Sequence, residues 1–139
     1  MVSRLGILCA MEPVARHTLL VIDDDAQTRA LFQTTLEAAG YDVLTSGSGQ
    51  AALHLMQQQA VDLILVDIFM PTMDGLELIQ RLRNPQSKCK IIAMSGGVGE
   101  WDFLEVAKRL GANLALRKPC APQAVLDAVI AQLKPDEKE

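Results

Sequence analysis

Three runs of four apolar residues most constrain what this chain can fold into: Leu19-Leu20-Val21-Ile22, Leu63-Ile64-Leu65-Val66 and Ile91-Ile92-Ala93-Met94. None alternates apolar with polar residues, so none suits a strand with one wet face. Such short runs fit strands buried on both faces, as in a parallel sheet covered by helices. A weaker run, Leu114-Ala115-Leu116, and the mixed Tyr41-Asp42-Val43-Leu44 bring the expected strands to five. Between them lie helix-length segments with apolar residues at helical spacing. Phe32, Leu36 and Ala39 form one stripe, with Leu31, Thr35 and Ala38 beside it. Ala52, Leu55 and Met56 mark a second helix, and Leu76, Ile79 and Leu82 a third. Phe103, Leu104, Ala107 and Leu110 mark a fourth, and Val125, Leu126, Val129, Ile130 and Leu133 a fifth. Gly40 and Gly111 stand where helix ends favour glycine, and Pro122 suits a first helical turn. Five strands alternating with five helices imply a doubly wound α/β domain with helices on both faces of a parallel sheet.

Size and composition narrow the function classes. The chain has 139 residues, which suits one domain. A net charge of -4 argues against a main task of gripping nucleic acid through its phosphates. No apolar run approaches the length of about 18–20 residues needed to cross a bilayer. Cys9, Cys89 and Cys120 are odd in number and widely spaced, so neither a disulfide framework nor a zinc site is expected, and a cytoplasmic setting is the default. Met1 to Ala10 carries one basic residue and a short apolar run that Glu12 and Pro13 soon follow, a poor match to an export signal. Residues 1–16 are expected to be a poorly ordered leader, with Met11 an alternative start. Residues 17–134 form the folded domain, and residues 135–139 a frayed, charged tail.

In open α/β sheets, ligands bind beyond the carboxyl ends of the strands. Asp23, Asp24 and Asp25 follow the first run, Asp67 the third, Ser95-Gly96-Gly97 the fourth, and Arg117-Lys118-Pro119 the fifth. Each has a plain structural explanation: Asp24 or Asp25 could cap the first helix, Asp74-Gly75 could be a turn, and a lone lysine is usually solvated. Turns, however, do not need their acids at one edge with a lysine facing them. Several carboxylates in one crevice repel, and a divalent cation or an ammonium group relieves the repulsion. The set suits phosphoryl transfer onto Asp67, with positive charge neutralising the transferred oxygens.

These residues resemble the receiver domain of two-component response regulators, in its stand-alone, chemotaxis-regulator-like form. The resemblance is carried by Leu20-Val21-Ile22-Asp23-Asp24-Asp25 and by Asp62-Leu63-Ile64-Leu65-Val66-Asp67, with Met70-Pro71 and Met73-Asp74-Gly75 behind the latter. Ile92-Ala93-Met94-Ser95-Gly96 and Lys118-Pro119 complete it, over roughly residues 17 to 134. It implies a flavodoxin-like strand order, 2-1-3-4-5. It implies that Asp67 accepts a phosphoryl group from a histidine kinase or a histidine phosphotransfer protein. Asp24 and Asp67 would ligate Mg²⁺ with the backbone carbonyl of Phe69, and Asp23 would act mostly through water. Ser95 and Lys118 would meet the phosphoryl oxygens, and the Lys118-Pro119 bond would be cis. Such a domain catalyses its own phosphorylation and dephosphorylation rather than the turnover of a free substrate. Its output would be contact with a downstream protein target, with a homodimer also open, and with no direct nucleic-acid or membrane partner.

Two positions depart from the family's usual pattern. Ala115 stands three residues before the lysine, where many receivers carry a ring that swings inward on activation. Switching is therefore expected to be read out through the loop Ser95–Gly99 and the helix after it. Phe69, two residues after Asp67, is expected to shield an acyl phosphate from water together with the position of Gly97. Trp101 is either a partner anchor or packing. His17 and His54 are expected to be surface or structural, and Met70, Met73 and Met94 to be packing. Competing readings on the same architecture are an aspartyl-nucleophile phosphatase, a phosphorylation-independent scaffold and a flavin-binding domain. The first lacks an acid at position 69 to protonate a leaving group, and the last lacks a glycine-rich first loop.

Overall fold

The structure, a computed structural model, describes residues 16–70, 75–83, 88–96 and 103–134. Strands β1 (Thr18–Ile22), β2 (Asp42–Ser46), β3 (Leu63–Asp67), β4 (Lys90–Ser95) and β5 (Leu114–Arg117) alternate with helices α1 (Ala26–Ala38), α2 (Gly49–Gln58), α3 (Gly75–Arg83), α4 (Phe103–Leu110) and α5 (Pro122–Leu133). All strand pairs are parallel, and the sheet order is β2-β1-β3-β4-β5. This is the flavodoxin-like order that the family resemblance implies.

The unalternating apolar runs have a direct cause. Successive residues of one strand enter different cores. Leu20, Ile22, Ile64, Val66, Ile91 and Ala93 face the core closed by α2, α3 and α4. Leu19, Val21, Leu63, Leu65, Ile92 and Met94 face the core closed by α1 and α5. Both faces must be apolar, so the period-two signature of a half-wet strand vanishes. The edge strands differ: β2 and β5 are mostly half-buried, which explains their weaker signals.

Helix ends follow local chemistry. Asp25, not Asp24, caps α1: its carboxylate accepts from the Gln27 N–H at 3.2 Å and from the Thr28 hydroxyl at 2.7 Å. Those bonds, the Thr28 hydroxyl foremost, hold Asp25 below the usual carboxylate range. Ser48 caps α2 through the Ala51 N–H. Leu31, Ala38, Ala39 and Ile130 of the expected stripes face water instead. Leu31 is 49% exposed and Ile130 is 45% exposed, while Phe32, Leu36, Val125 and Val129 fill the core beside them. Helical spacing allows a broader stripe than the sheet can cover.

Arg83 ties the end of α3 to two other segments. Its guanidinium donates to the Gly111 carbonyl at 3.0 Å, the Cys89 carbonyl at 2.9 Å and Asn113 Oδ1 at 2.8 Å. Asn113 Oδ1 also accepts from the Ile91 N–H, so one residue serves both β4 and the turn before β5. Arg83→Met is expected to lower unfolding free energy by about 2 kcal/mol, because partly buried carbonyls lose charged donors. Urea unfolding checks this, and an unchanged midpoint would show that water replaces the guanidinium at no cost.

Candidate functional site

Strand order reverses at β1, with β2 on one side and β3 on the other, and sheets of this kind bind ligands beyond the strand ends at such a point. Asp23 directly follows β1, and Asp67 ends β3. Ser95 ends β4, and Lys118 directly follows β5. The parallel register brings these termini to one edge: Ile22 pairs with Val66, Asp67 with Met94, and Ser95 with Arg117.

The side chains converge as well. One oxygen from each of Asp23, Asp24 and Asp67 lies within 4.8 Å of the other two. Asp23 and Asp67 are buried, and Asp24 is exposed. Lys118 Nζ lies 2.9 Å from Asp23 Oδ2 and 3.3 Å from Asp67 Oδ2. Asp23 Oδ1 accepts from the Asp25 N–H at 2.9 Å, and Asp67 Oδ1 from the Phe69 N–H at 3.2 Å. Ser95 is buried, and its carbonyl accepts from the Lys118 N–H, which fixes the start of the lysine loop. A methyl group at Gly96 would lie 3.1 Å from Lys118 Cβ, so this glycine leaves room for the lysine stem. The Lys118-Pro119 bond is cis.

Charge is balanced unevenly here. Burial raises the pKa of Asp67, the Lys118 ammonium pulls it back, Asp23 pushes it up again, and the net position is above the ordinary value. Burial works to lower Lys118, but the hydrogen bond to Asp23 and the two carboxylate charges outweigh it and raise it. A carboxyl raised in the folded state favours folding below its unfolded pKa and loses that benefit as pH rises through its folded value. At neutral pH an ionised Asp67 therefore costs stability. Asp67→Asn is expected to raise unfolding free energy at pH 7, without divalent cation, by about 1 kcal/mol, since Lys118 keeps Asp23. A lower urea midpoint for the variant would contradict this.

Other expectations meet the structure as follows. Phe69 is 44% exposed, and its ring packs edge-on against Phe103, with centroids 5.0 Å apart at 80°. The ring thus leans on the first residue of α4. Ala115 is half-buried against the core that α4 helps to close. His17 packs near Tyr41, and His54 is exposed. Met70 and Met94 are buried packing. Cys89 is a buried thiol, pushed up to about 11 by burial, and Cys120 is a half-buried thiol. Met73, Asp74, Gly97, Gly99, Trp101, Cys9, the leader before residue 16 and the tail after Lys134 lie outside the described residues. No helix among the described residues is long and apolar enough to cross a membrane.

Two contacts of the site are not visible along the sequence. Gly75 packs directly on the Asp67–Ile68 backbone: a methyl group there would lie 2.6 Å from the Asp67 carbonyl oxygen and 2.7 Å from Ile68 Cα. Arg29, one turn into α1, donates to the Asp23 carbonyl at 2.6 Å. An Asp-Gly pair suggests a turn, and an arginine on a helix suggests solvent, so neither contact is visible before folding.

Comparison with known proteins agrees with this geometry. Residues 19–130 match the family model described as the response regulator receiver domain. The chain is 34% identical, over 86% of its length, to the alkaline phosphatase synthesis transcriptional regulatory protein PhoP of Bacillus subtilis, of which it spans 49%. It is 31% identical to sporulation initiation phosphotransferase F of Bacillus subtilis, with 80% of this chain and 89% of that protein aligned. The fold superposes on the Vibrio cholerae chemotaxis protein CheY4 with a TM-score of 0.77 and 28% identity, covering 84% of this chain and 98% of that one. A switch point with convergent acids and a lysine defines a class of signalling domain rather than one partner. The chain belongs to the response regulator receiver domain family of two-component systems.

Proposed function

We propose that this chain is the phosphoacceptor of a two-component relay, with Asp67 as the residue modified. The observation that carries this reading is Lys118 Nζ set between the buried Asp23 and Asp67 carboxylates, with the Asp24 carboxylate in the same small volume. An oxygen of Asp67 attacks the phosphorus of a phosphohistidine on a histidine kinase or phosphotransfer protein. The new O–P bond forms as the N–P bond breaks, and the departing imidazole takes a proton from water. The Lys118 ammonium lies where negative charge builds on the transferred oxygens. The Ser95 hydroxyl, at the end of the neighbouring strand, donates to the phosphoryl group after transfer.

The donor set fits a hard divalent cation: three carboxylates offer oxygen atoms within 4.8 Å of one another. Asp24 and Asp67 would hold Mg²⁺ with the Phe69 carbonyl, and Asp23 would act through water. When bound, it would supply charge neutralisation to the transferring phosphoryl group. A phosphoryl group adds roughly -1.5 to -2 charge to an already acidic pocket, which biases the domain toward a second conformation that a downstream protein reads by contact.

Incubation with Mg²⁺ and acetyl phosphate, followed by intact mass, tests the assignment. One phosphoryl adduct is expected on the unaltered chain and none on Asp67→Asn. An adduct that survives in the variant moves the site elsewhere, and no adduct on the unaltered chain rejects the phosphoacceptor function.

A further inference from the structure

Given the phosphoacceptor function proposed above, on which this inference rests, we infer that Arg29 is a positioning residue that aims Asp24 at the cation site, with Gly47 as the seat that lets it do so. Asp24 supplies one of the three clustered carboxylate oxygens, yet it is exposed, and no described side chain or backbone N–H holds its carboxylate. Its placement must come from the backbone that carries it. The peptide between Asp23 and Asp24 is unusually well pinned. The Asp23 N–H donates to the Ser46 carbonyl at 3.1 Å, its Oδ1 accepts from the Asp25 N–H, and its Oδ2 meets Lys118. The remaining polar atom, the Asp23 carbonyl oxygen that sets the plane of the peptide leading to Asp24, accepts from Arg29 Nη1 at 2.6 Å.

The guanidinium reaches that oxygen by lying over Gly47, in the segment between β2 and α2. A methyl group at Gly47 would come within 3.1 Å of Nη1 and 3.6 Å of Cζ. Any larger side chain would push the guanidinium off its path. Among the described residues, Arg29 makes no ion pair with an aspartate. Its guanidinium bonds the Asp23 carbonyl rather than a carboxylate. Arginine suits this task, because its planar fork holds one direction while its charge is retained.

Partners that orient metal ligands typically cost 10–100-fold in metal affinity when removed. The sign of the effect separates positioning from charge. If Arg29 mattered only as a cation near the acids, its removal would tighten Mg²⁺ binding. If it aims Asp24, removal weakens binding despite the lost repulsion.

The test is Mg²⁺ titration calorimetry on the unphosphorylated full chain, with urea unfolding in parallel. Arg29→Met and Gly47→Val are each expected to weaken Mg²⁺ binding about tenfold. The double variant is expected to be no weaker than the weaker single, since both break the same contact. Excess Mg²⁺ is expected to recover the rate of Asp67 phosphorylation. Gly47→Val keeps the arginine and its charge, so it serves as the second variant should Arg29→Met unfold. Unchanged or tighter binding in both variants, or additive losses in the double, overturns the assignment. A failure of the unaltered chain to form the Asp67 adduct is a different result: it rejects the underlying function, whatever the calorimetry shows.

Discussion

Lys118→Ala is expected to lose about 3 kcal/mol of stability at pH 7 and at least about 100-fold in the rate of Asp67 phosphorylation. Lys118 Nζ is the cation that the structure places between Asp23 and Asp67. Asp23 has no exposed surface, so truncation leaves a buried carboxylate facing a second one. Removing one partner of a buried pair is far costlier than never having built the pair. Under the proposed function the same ammonium would offset charge on the transferred oxygens, so the rate is expected to fall together with the stability.

The pH dependence has a defined sign. Burial already raises Asp67, and Lys118 is the main influence pulling it down. Without the lysine, its folded pKa rises further. A carboxyl raised in the folded state regains its contribution as it takes up a proton. The stability deficit of Lys118→Ala should therefore be full at pH 7 and shrink as pH falls toward the ordinary carboxylate range of about 4. Urea unfolding at pH 7 and pH 5 without divalent cation measures this. A deficit that grows on acidification would refute the buried-pair account.

Gly75→Ala is the second large effect. Its three nearest neighbours are all backbone atoms: the Asp67 carbonyl oxygen and carbon and Ile68 Cα. No rotamer change can make room, so either α3 or the end of β3 must move. The Gly75 N–H also donates to the Ile68 carbonyl at 2.7 Å, so movement breaks that bond. A loss of about 3 kcal/mol is expected, at the upper end for an added methyl group in a packed site. Phosphorylation of Asp67 is expected to fall about 100-fold, since a shift near 1 Å in a reacting group has that effect. Urea unfolding and intact mass with acetyl phosphate check the pair. Native-like stability with normal phosphorylation would mean that α3 slides freely over the Asp67 peptide.

Much of the site was legible because a parallel sheet makes strand ends meaningful. Leu20-Val21-Ile22 leads to Asp23, Leu65-Val66 to Asp67, Ala93-Met94 to Ser95, and Leu116-Arg117 to Lys118. Once the runs are strands of one sheet, their ends must share an edge. Other features were not legible. Leu31 and Ile130 fit the helical stripes yet face water, because stripe width is decided by how much sheet lies beneath. The pair Phe69–Phe103 joins residues on separate elements, and no spacing rule announces it.

The order of apolar and polar residues alone determined three buried strands, two weaker edge strands, five helices and the identity of the acids and lysine at the strand ends. It could do so because strand burial and helix periodicity are short-range patterns along the chain. Only the tertiary structure decided which carboxylates meet the ammonium, why position 75 tolerates no side chain, and what Arg29 holds. Those are contacts between segments distant in the polypeptide, and they exist only after the sheet closes and brings backbone against backbone.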